Sequence, residues 1–338
     1  MYDAIKNFPK QFSFNPEIKS EEKLLKYKWY IVAGMGGSHL AADILKVWNP
    51  NLLLVIHKNY GLINLSEEIL KDSLVIASSY SGNTEEVIDA YEKAKENNIP
   101  LAAISVGGNL LKQAIADSIP YVKIPDTGIQ PRQGLGFFAK AILSLMKEEK
   151  ALADISKLSE SLKPRDLENK GKELAENLQG YVPVIYSSSA NEAIAYNWKI
   201  KFNETGKIPA FFNVFPELNH NEMTGFDIKE KTKNLSEKFY FIFLYDKTDH
   251  QRIQKRMEIS KKLYQERKLP VVKIELAASQ ERGEPRPDKL SGREGQNSFY
   301  KIFSSLILAD WTAYYTAKLY GVEPEAVPMV EEFKKLIS

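Results

Sequence analysis

The sequence predicts an α/β chain of two units, each a parallel β-sheet flanked by helices, and two patterns carry the prediction. In the first half, short apolar runs of strand length alternate with stretches of helical periodicity; after a charged interval, the same alternation resumes. Such β-α-β grammar implies parallel strands, because each return crossing lays a helix over the sheet. With 338 residues, 43% of them hydrophobic and 11% aromatic, the chain can build two cores.

Taken in order, residues 29–33, 52–57, 73–79, 101–106 and 121–124 read as the strands of the first unit. The best-marked helix between them is 84–97, with Asn83 as candidate N-cap, Glu86 in the capping-box position, and Val87, Ile88, Tyr91 and Ala94 along one face. Charged helical segments at about 152–162 and 166–178 bridge to the second unit. There, 182–186, 210–215, 239–245 and 271–276 read as strands, and 249–267 and 298–320 as long helices. The polar stretch 277–297, rich in Gly, Pro and charge, is expected to be a long surface loop, and an amphipathic segment, 324–337, follows Gly321. The expected domains are therefore 1–150, 151–320 and a helical tail, 321–338. A short echo between YIVAGMGGSHLAA from Tyr30 and YVPVIYSSSANEA from Tyr181 suggests that the two units arose by duplication.

Composition narrows the partners. Lys and Arg number 46 against 44 Asp and Glu, so no excess charge argues for nucleic acid or an anionic membrane, and a small-molecule partner is expected. The segment MYDAIKNFPK carries Asp3 and no apolar signal core, and the longest apolar stretches are strand-sized, so the expectation is a cytoplasmic protein without a membrane span. The chain contains no cysteine, which excludes disulfides, thiolate zinc sites and a cysteine nucleophile. Its four histidines, His39, His57, His220 and His250, have no ligand spacing, so no metal is expected.

Two strand-to-helix loops carry the binding signal. The first, Gly34-Met35-Gly36-Gly37-Ser38, lets backbone N–H groups close on an anion at a helix N-terminus. It departs from a dinucleotide fingerprint, which needs glycine where His39 stands, and the next strand ends in His57 rather than an acidic residue, so no nicotinamide cofactor is expected. The second loop, Ser78-Ser79-Tyr80-Ser81-Gly82-Asn83-Thr84, offers the hydroxyls of Ser79, Ser81 and Thr84 together with backbone donors. Without a Gly-Lys-Ser/Thr ending it is no Walker loop, and a single phosphate monoester fits it better than a polyphosphate. Ser, Gly and Asn also build ordinary turns and caps, so it is the pair of loops at neighbouring strand ends that favours a ligand.

SYSGNTEE after a strand, with GMGGS at the first strand, resembles the sugar isomerase (SIS) domain. Asn203-Glu204-Thr205-Gly206-Lys207 and Pro216-Glu217-Leu218-Asn219-His220-Asn221-Glu222 narrow the resemblance to the bifunctional phosphoglucose/phosphomannose isomerases, over nearly the whole chain from about Trp29. The resemblance implies two flavodoxin-like SIS domains, a homodimer, metal independence, no cofactor, and interconversion of glucose 6-phosphate or mannose 6-phosphate with fructose 6-phosphate. By motif, Gly37, Ser38, Ser79, Ser81 and Thr84 correspond to the family's phosphate contacts, and Arg132, in Pro131-Arg132-Gln133-Gly134, to its arginine. Glu204 corresponds to its proton-transfer base, His220 to its ring-opening histidine, contributed across the subunit interface, and Lys334 to its second ring-opening residue.

The residues suit that chemistry. Aldose–ketose isomerisation moves a proton between C1 and C2 through an enediol, which asks for one carboxylate within reach of both carbons. Glu204 lies at the end of a helical run, 192–202, where the helix dipole disfavours a carboxylate. Ring opening needs a group titrating near neutrality, which suits His220; His39 flanks the glycine loop, and His250 reads as a surface residue at a helix start. Arg132 is placed to clamp a phosphate or an enediolate, whereas Lys334 also suits a helix C-terminus without any function. Val327 offers no hydroxyl to assist rotation about C2–C3, which bears on how fully both epimers are used. A non-catalytic phosphosugar-binding SIS protein, and an isomerase of another ketose phosphate, remain open alternatives; a glucosamine-6-phosphate synthase type lacks its cysteine-dependent glutaminase here.

Overall fold

The computed structural model describes residues 1–276 and 298–337; the expected surface loop at 277–297 lies outside the described residues. One compact unit holds residues 7–162 with 298–299, and the other holds 1–6, 163–276 and 300–337.

The first unit is built on six strands: β1 (Ile18–Lys19), β2 (Trp29–Gly34), β3 (Leu54–His57), β4 (Ser73–Ser78), β5 (Leu101–Ser105) and β6 (Tyr121–Lys123). Their order is β1-β6-β5-β4-β2-β3, parallel throughout except for β1, which runs antiparallel along β6. β1 was not expected: at two residues it is too short to set up a period-2 pattern. Counted from β2, the parallel strands lie in the order 2-1-3-4-5, the flavodoxin arrangement, which reverses direction between β2 and β4. On one face the helix Glu85–Glu96 buries Val87, Ala90, Tyr91 and Ala94, joining a core with Ile31, Val75 and Leu101; Ile88 is only half buried. The helix Leu135–Leu145 is buried along almost its whole length, which explains a composition with one charged residue, Lys140.

The second unit repeats the plan with β7 (Val182–Ser188), β8 (Phe211–Phe215), β9 (Phe239–Tyr245) and β10 (Val271–Glu275), in the order β10-β9-β7-β8 and all parallel. Counted from β7 this is 2-1-3-4, so a second reversal falls between β7 and β9. One core is aromatic: Tyr186, Phe215, Phe241, Phe243 and Tyr264 pack with Val184, Met257 and Leu269. The helices Glu192–Lys201 and Phe299–Leu319 are joined by Trp198 Nε1, which donates to Ser305 Oγ at 3.0 Å, and by a buried ion pair between Lys201 and Asp310 at 2.7 Å. Among the described residues, no helix is long and apolar enough to cross a membrane.

Candidate active site

The first crevice forms where β2 and β4 end side by side, with Gly34 and Ser78 as Cα partners. Ligands of open α/β sheets bind at such reversal points, outside the carboxyl ends of the strands. The two loops that leave these strands are tied together: Ser78 Oγ donates to Ser38 O at 2.8 Å, and Tyr80 N donates to Ser38 Oγ at 2.9 Å. Ser79 and Thr84 share a hydroxyl–hydroxyl bond of 2.8 Å, and Ser79 Oγ also accepts from Gly82 N at 3.1 Å. Ser81 is exposed, and its Oγ accepts from Asn83 N at 3.2 Å. Ser79 and Thr84 thus meet in one cluster, Ser38 is bonded to the same loop, and Ser81 stands on its solvent side.

Close backbone approach dictates the glycines. Gly82 has φ +69°, and a Cβ there would sit 1.8 Å from Gly107 O. At Gly37 a Cβ would come within 2.5 Å of Pro131 C, so the first turn of the helix Gly37–Trp48 packs directly on the Pro131–Gln133 turn that carries Arg132. Arg132 is 2% exposed, unlike an ordinary surface arginine. The turn is held from far away in sequence: Gln11 Nε2 donates to Gln133 O at 2.7 Å, and Gln11 Oε1 accepts from Gly136 N at 2.9 Å. His39 is buried, and its Nδ1 lies 2.6 Å from Asp43 Oδ2 on the same helix face.

Asn83 does not cap the helix Glu85–Glu96. Thr84 occupies the N-cap, and the Asn83 side chain instead accepts from Asn109 N at 3.0 Å, tying the loop to the next strand-to-helix connection. That third loop, Gly107-Gly108-Asn109, went unread in the sequence, although glycines directly after a strand were its available signal. Leu110 N donates to Gly82 O at 2.8 Å, so the crevice wall is made by three loops rather than two.

In the second unit Glu204 lies half buried in a π-turn, Phe202–Gly206, that ends the helix Glu192–Lys201. Single π-turns within helices are frequent at functional sites because they re-aim side chains. This one is anchored at both ends: Lys201 by its buried pair with Asp310, and Lys207 by its left-handed backbone at φ +58° and by Nζ, which donates to Glu204 O at 2.6 Å and to Ala326 O. His220 follows the turn Glu217–Asn219 beyond the carboxyl end of β8 and is exposed. His250 is exposed at the N-cap of the helix Gln251–Glu266, where its Nδ1 accepts from Arg252 N at 3.1 Å. Lys334 is exposed on the helix Pro328–Ile337, none of whose residues is buried.

The reversal point of the second sheet carries different chemistry. Beyond β7 and β9, Asn191 Nδ2 donates to Ser188 Oγ at 3.0 Å and to Asp246 Oδ2 at 3.1 Å, and Ser188 Oγ donates to Asp249 Oδ1 at 2.8 Å. Lys301 forms a buried ion pair with Asp246 at 2.5 Å. Burial pushes the Asp246 carboxyl up, but the charge and hydrogen bond of Lys301, with Thr248, outweigh it and leave the group below its ordinary range. At Asp249 burial, reinforced by Asp246, prevails and pushes the carboxyl up to about 6 against the hydrogen bonds from Ser188 and Asn191 and the charge of Lys301.

Two flavodoxin-ordered sheets, with a hydroxyl- and glycine-lined crevice on the first and a carboxylate on a π-turn in the second, define a tandem SIS protein of the phosphosugar-isomerase class. The bacterial phospho-glucose isomerase C-terminal SIS domain family matches residues 167–337. The chain is 32% identical to the bifunctional phosphoglucose/phosphomannose isomerase of Aquifex aeolicus, over 99% of this chain and 97% of that protein. It is 31% identical to the protein of the same name from Caldicellulosiruptor bescii, over 100% and 99% respectively. The chain belongs to the bifunctional phosphoglucose/phosphomannose isomerase family. The fold is also that of the C-terminal domain of glucosamine-fructose-6-phosphate aminotransferase from Francisella tularensis, with a TM-score of 0.66 at 12% identity over 96% of each chain.

Proposed function

We propose that this enzyme interconverts glucose 6-phosphate and mannose 6-phosphate with fructose 6-phosphate through ring opening and an enediol intermediate. Glu204 on its anchored π-turn is the observation that carries the reading, because a half-buried carboxylate held in a fixed turn at a helix end suits the base that the C1–C2 proton transfer requires. The substrate phosphate is held by Gly37, Ser38, Ser79, Ser81 and Thr84, where backbone and hydroxyl donors meet the helix N-termini.

His220 and Lys334 open the ring by exchanging protons with the ring oxygen and the anomeric hydroxyl. Glu204 then takes the C2 proton of the open aldose; the bonding pair forms the C1–C2 double bond, and the carbonyl electrons move onto O1. Return of that proton to C1, with the O2 proton passing to O1, gives the ketose. Arg132 stabilises the enediolate or clamps the phosphate. C2 loses its configuration in the enediol, so one intermediate serves both aldoses.

A homodimer whose sites each take His220 from the partner subunit is part of the proposal. It is supported by the exposed His220 and by the apolar residues on the exposed helix Pro328–Ile337, where Met329 is 81% and Leu336 79% exposed. The cytoplasm is the proposed location, since a phosphate dianion made inside a cell does not cross its lipid. A coupled assay starting from fructose 6-phosphate, scoring glucose and mannose 6-phosphates with and without chelator, tests the function. Both products are expected, at rates the chelator leaves unchanged; formation of neither overturns it.

A further inference from the structure

The turn that bears His220 is pinned on both sides by side chains that have no part in the reaction as described. Upstream, Asn219 Nδ2 donates to Ser260 Oγ at 2.9 Å, and Arg256 Nη1 donates to Asn219 Oδ1 at 3.2 Å, both partners lying on the helix Gln251–Glu266. Downstream, Glu222 is gripped by the sheet. Tyr186 on β7 and Asn213 on β8 are Cα partners in the parallel register. The Tyr186 hydroxyl donates to Glu222 Oε1, and Asn213 Nδ2 donates to Glu222 Oε2.

The donors of this clamp are themselves fixed. Asn213 Oδ1 accepts from Val214 N at 2.8 Å, which leaves its NH2 group facing Glu222. Tyr186 is fully buried; burial, then the proximity of Tyr264 and Glu222, holds its phenol above the ordinary range, so it remains a proton donor at any working pH. Asn221 completes the turn: its Oδ1 accepts from Glu222 N at 2.6 Å, and its Nδ2 donates to Glu217 Oε1 at 2.8 Å. An exposed imidazole is left between two immobilised neighbours. A carboxylate drawn under the turn to meet two in-register sheet donors is more than a surface turn needs, since both hydrogen bonds involve a charged acceptor and are of the stronger kind.

We infer that Glu222, clamped by Tyr186 and Asn213, is a positioning residue for His220, required for opening the sugar ring and not for proton transfer between C1 and C2. The inference rests on the proposed ring-opening role of His220. Glu222→Gln turns an amide NH2 toward one of the two donors, so it breaks one hydrogen bond and lets the turn drift. Because a misplaced acid–base group commonly costs 10²-fold, kcat/KM for glucose 6-phosphate should fall by about 10- to 100-fold.

The discriminating measurement is the inhibition constant of 5-phosphoarabinonate, an acyclic carboxylate that mimics the enediolate and needs no ring opening. It should stay within about 3-fold of wild type in Glu222→Gln, and the double variant Glu222→Gln/Asn213→Asp, which restores a donor–acceptor match, should recover most of the lost kcat/KM. Wild-type kcat/KM in Glu222→Gln, parallel weakening of the inhibitor, or no recovery in the double variant would each overturn the inference. If Glu222→Gln does not fold, Tyr186→Phe, which removes one donor and leaves the carboxylate, is read by the same two constants and the same criteria. His220→Ala is measured alongside: normal activity there sinks the role of His220, whereas loss there with full activity in Glu222→Gln sinks only the clamp.

Discussion

The two sheets end in crevices of one topology and opposite chemistry. Beyond β2 and β4 stand glycines and the neutral hydroxyls of Ser38, Ser79 and Thr84; beyond β7 and β9 stand two carboxylates, Asp246 and Asp249, with Lys301 paired to Asp246. A phosphate charge placed about 4 Å from a single carboxylate meets a repulsion of roughly 4 kcal/mol at an effective dielectric of 20, enough to cancel several hydrogen bonds. The reversal point alone therefore does not make an anion site; the residues at the strand ends decide. The second unit keeps the scaffold, and its candidate chemistry lies elsewhere, with Glu204 on a π-turn and His220 beyond the edge strand β8.

That division of labour breaks most visibly at Glu204. Glu204→Gln should lower kcat by about 10³-fold or more while leaving affinity for 5-phosphoarabinonate near normal, since a general base contributes to turnover rather than to phosphate binding. Chains carrying Glu204→Gln, mixed with chains carrying His220→Ala, should regain activity if each site draws on both subunits; verified mixing without recovery removes that part of the proposal.

The complementary lesion lies in the first crevice. Gly82→Ala drives a Cβ against Gly107 O and strains a backbone at φ +69°, so the loop must move off its hydroxyl cluster. Each charge-assisted hydrogen bond to phosphate lost in this way should weaken ligand binding by about 10- to 100-fold. Calorimetric titration of the wild type should give one phosphosugar per chain, and Gly82→Ala should remove that single event. A second event surviving in the variant would mean that the carboxylate crevice also takes phosphate.

The difference between the crevices was only half legible in the sequence. The hydroxyl loop is readable because strand, loop and helix are contiguous from Ser73 to Glu96, and the echo between Tyr30 and Tyr181 suggests duplication without locating a second reversal. The chemistry of the second crevice is not readable, because Ser188, Asn191, Asp246 and Lys301 come from distant segments that meet only through the sheet. Gln11 holding the Arg132 turn, and Asn83 spent on a neighbouring loop rather than on its own helix, were hidden for the same reason. The π-turn at Glu204 has no periodic signature at all; the sequence reads it simply as a helix end.

The smallest effect comes from the second crevice and concerns stability. Asn191 Oδ1 and Asp249 Oδ2 are buried there without a hydrogen-bond partner among the described residues, so the charged form of Asp249 is poorly supported. Its carboxyl rises from 3.8 in a free chain to about 6 in the fold, so the folded state binds more protons between those values. Stability from this group is complete below about pH 4 and is lost as pH rises through about 6. Asn keeps an acceptor for Ser188 and Asn191 but carries no charge. Asp249→Asn should therefore raise stability by about 2 kcal/mol at pH 7 and by almost nothing at pH 4, which thermal melts at the two pH values measure directly. An equal gain at both would assign the benefit to packing, and a loss at pH 7 would mean that the charge of Lys301 outweighs burial at this carboxylate, in which case this crevice resembles the first more closely than its acidic residues suggest.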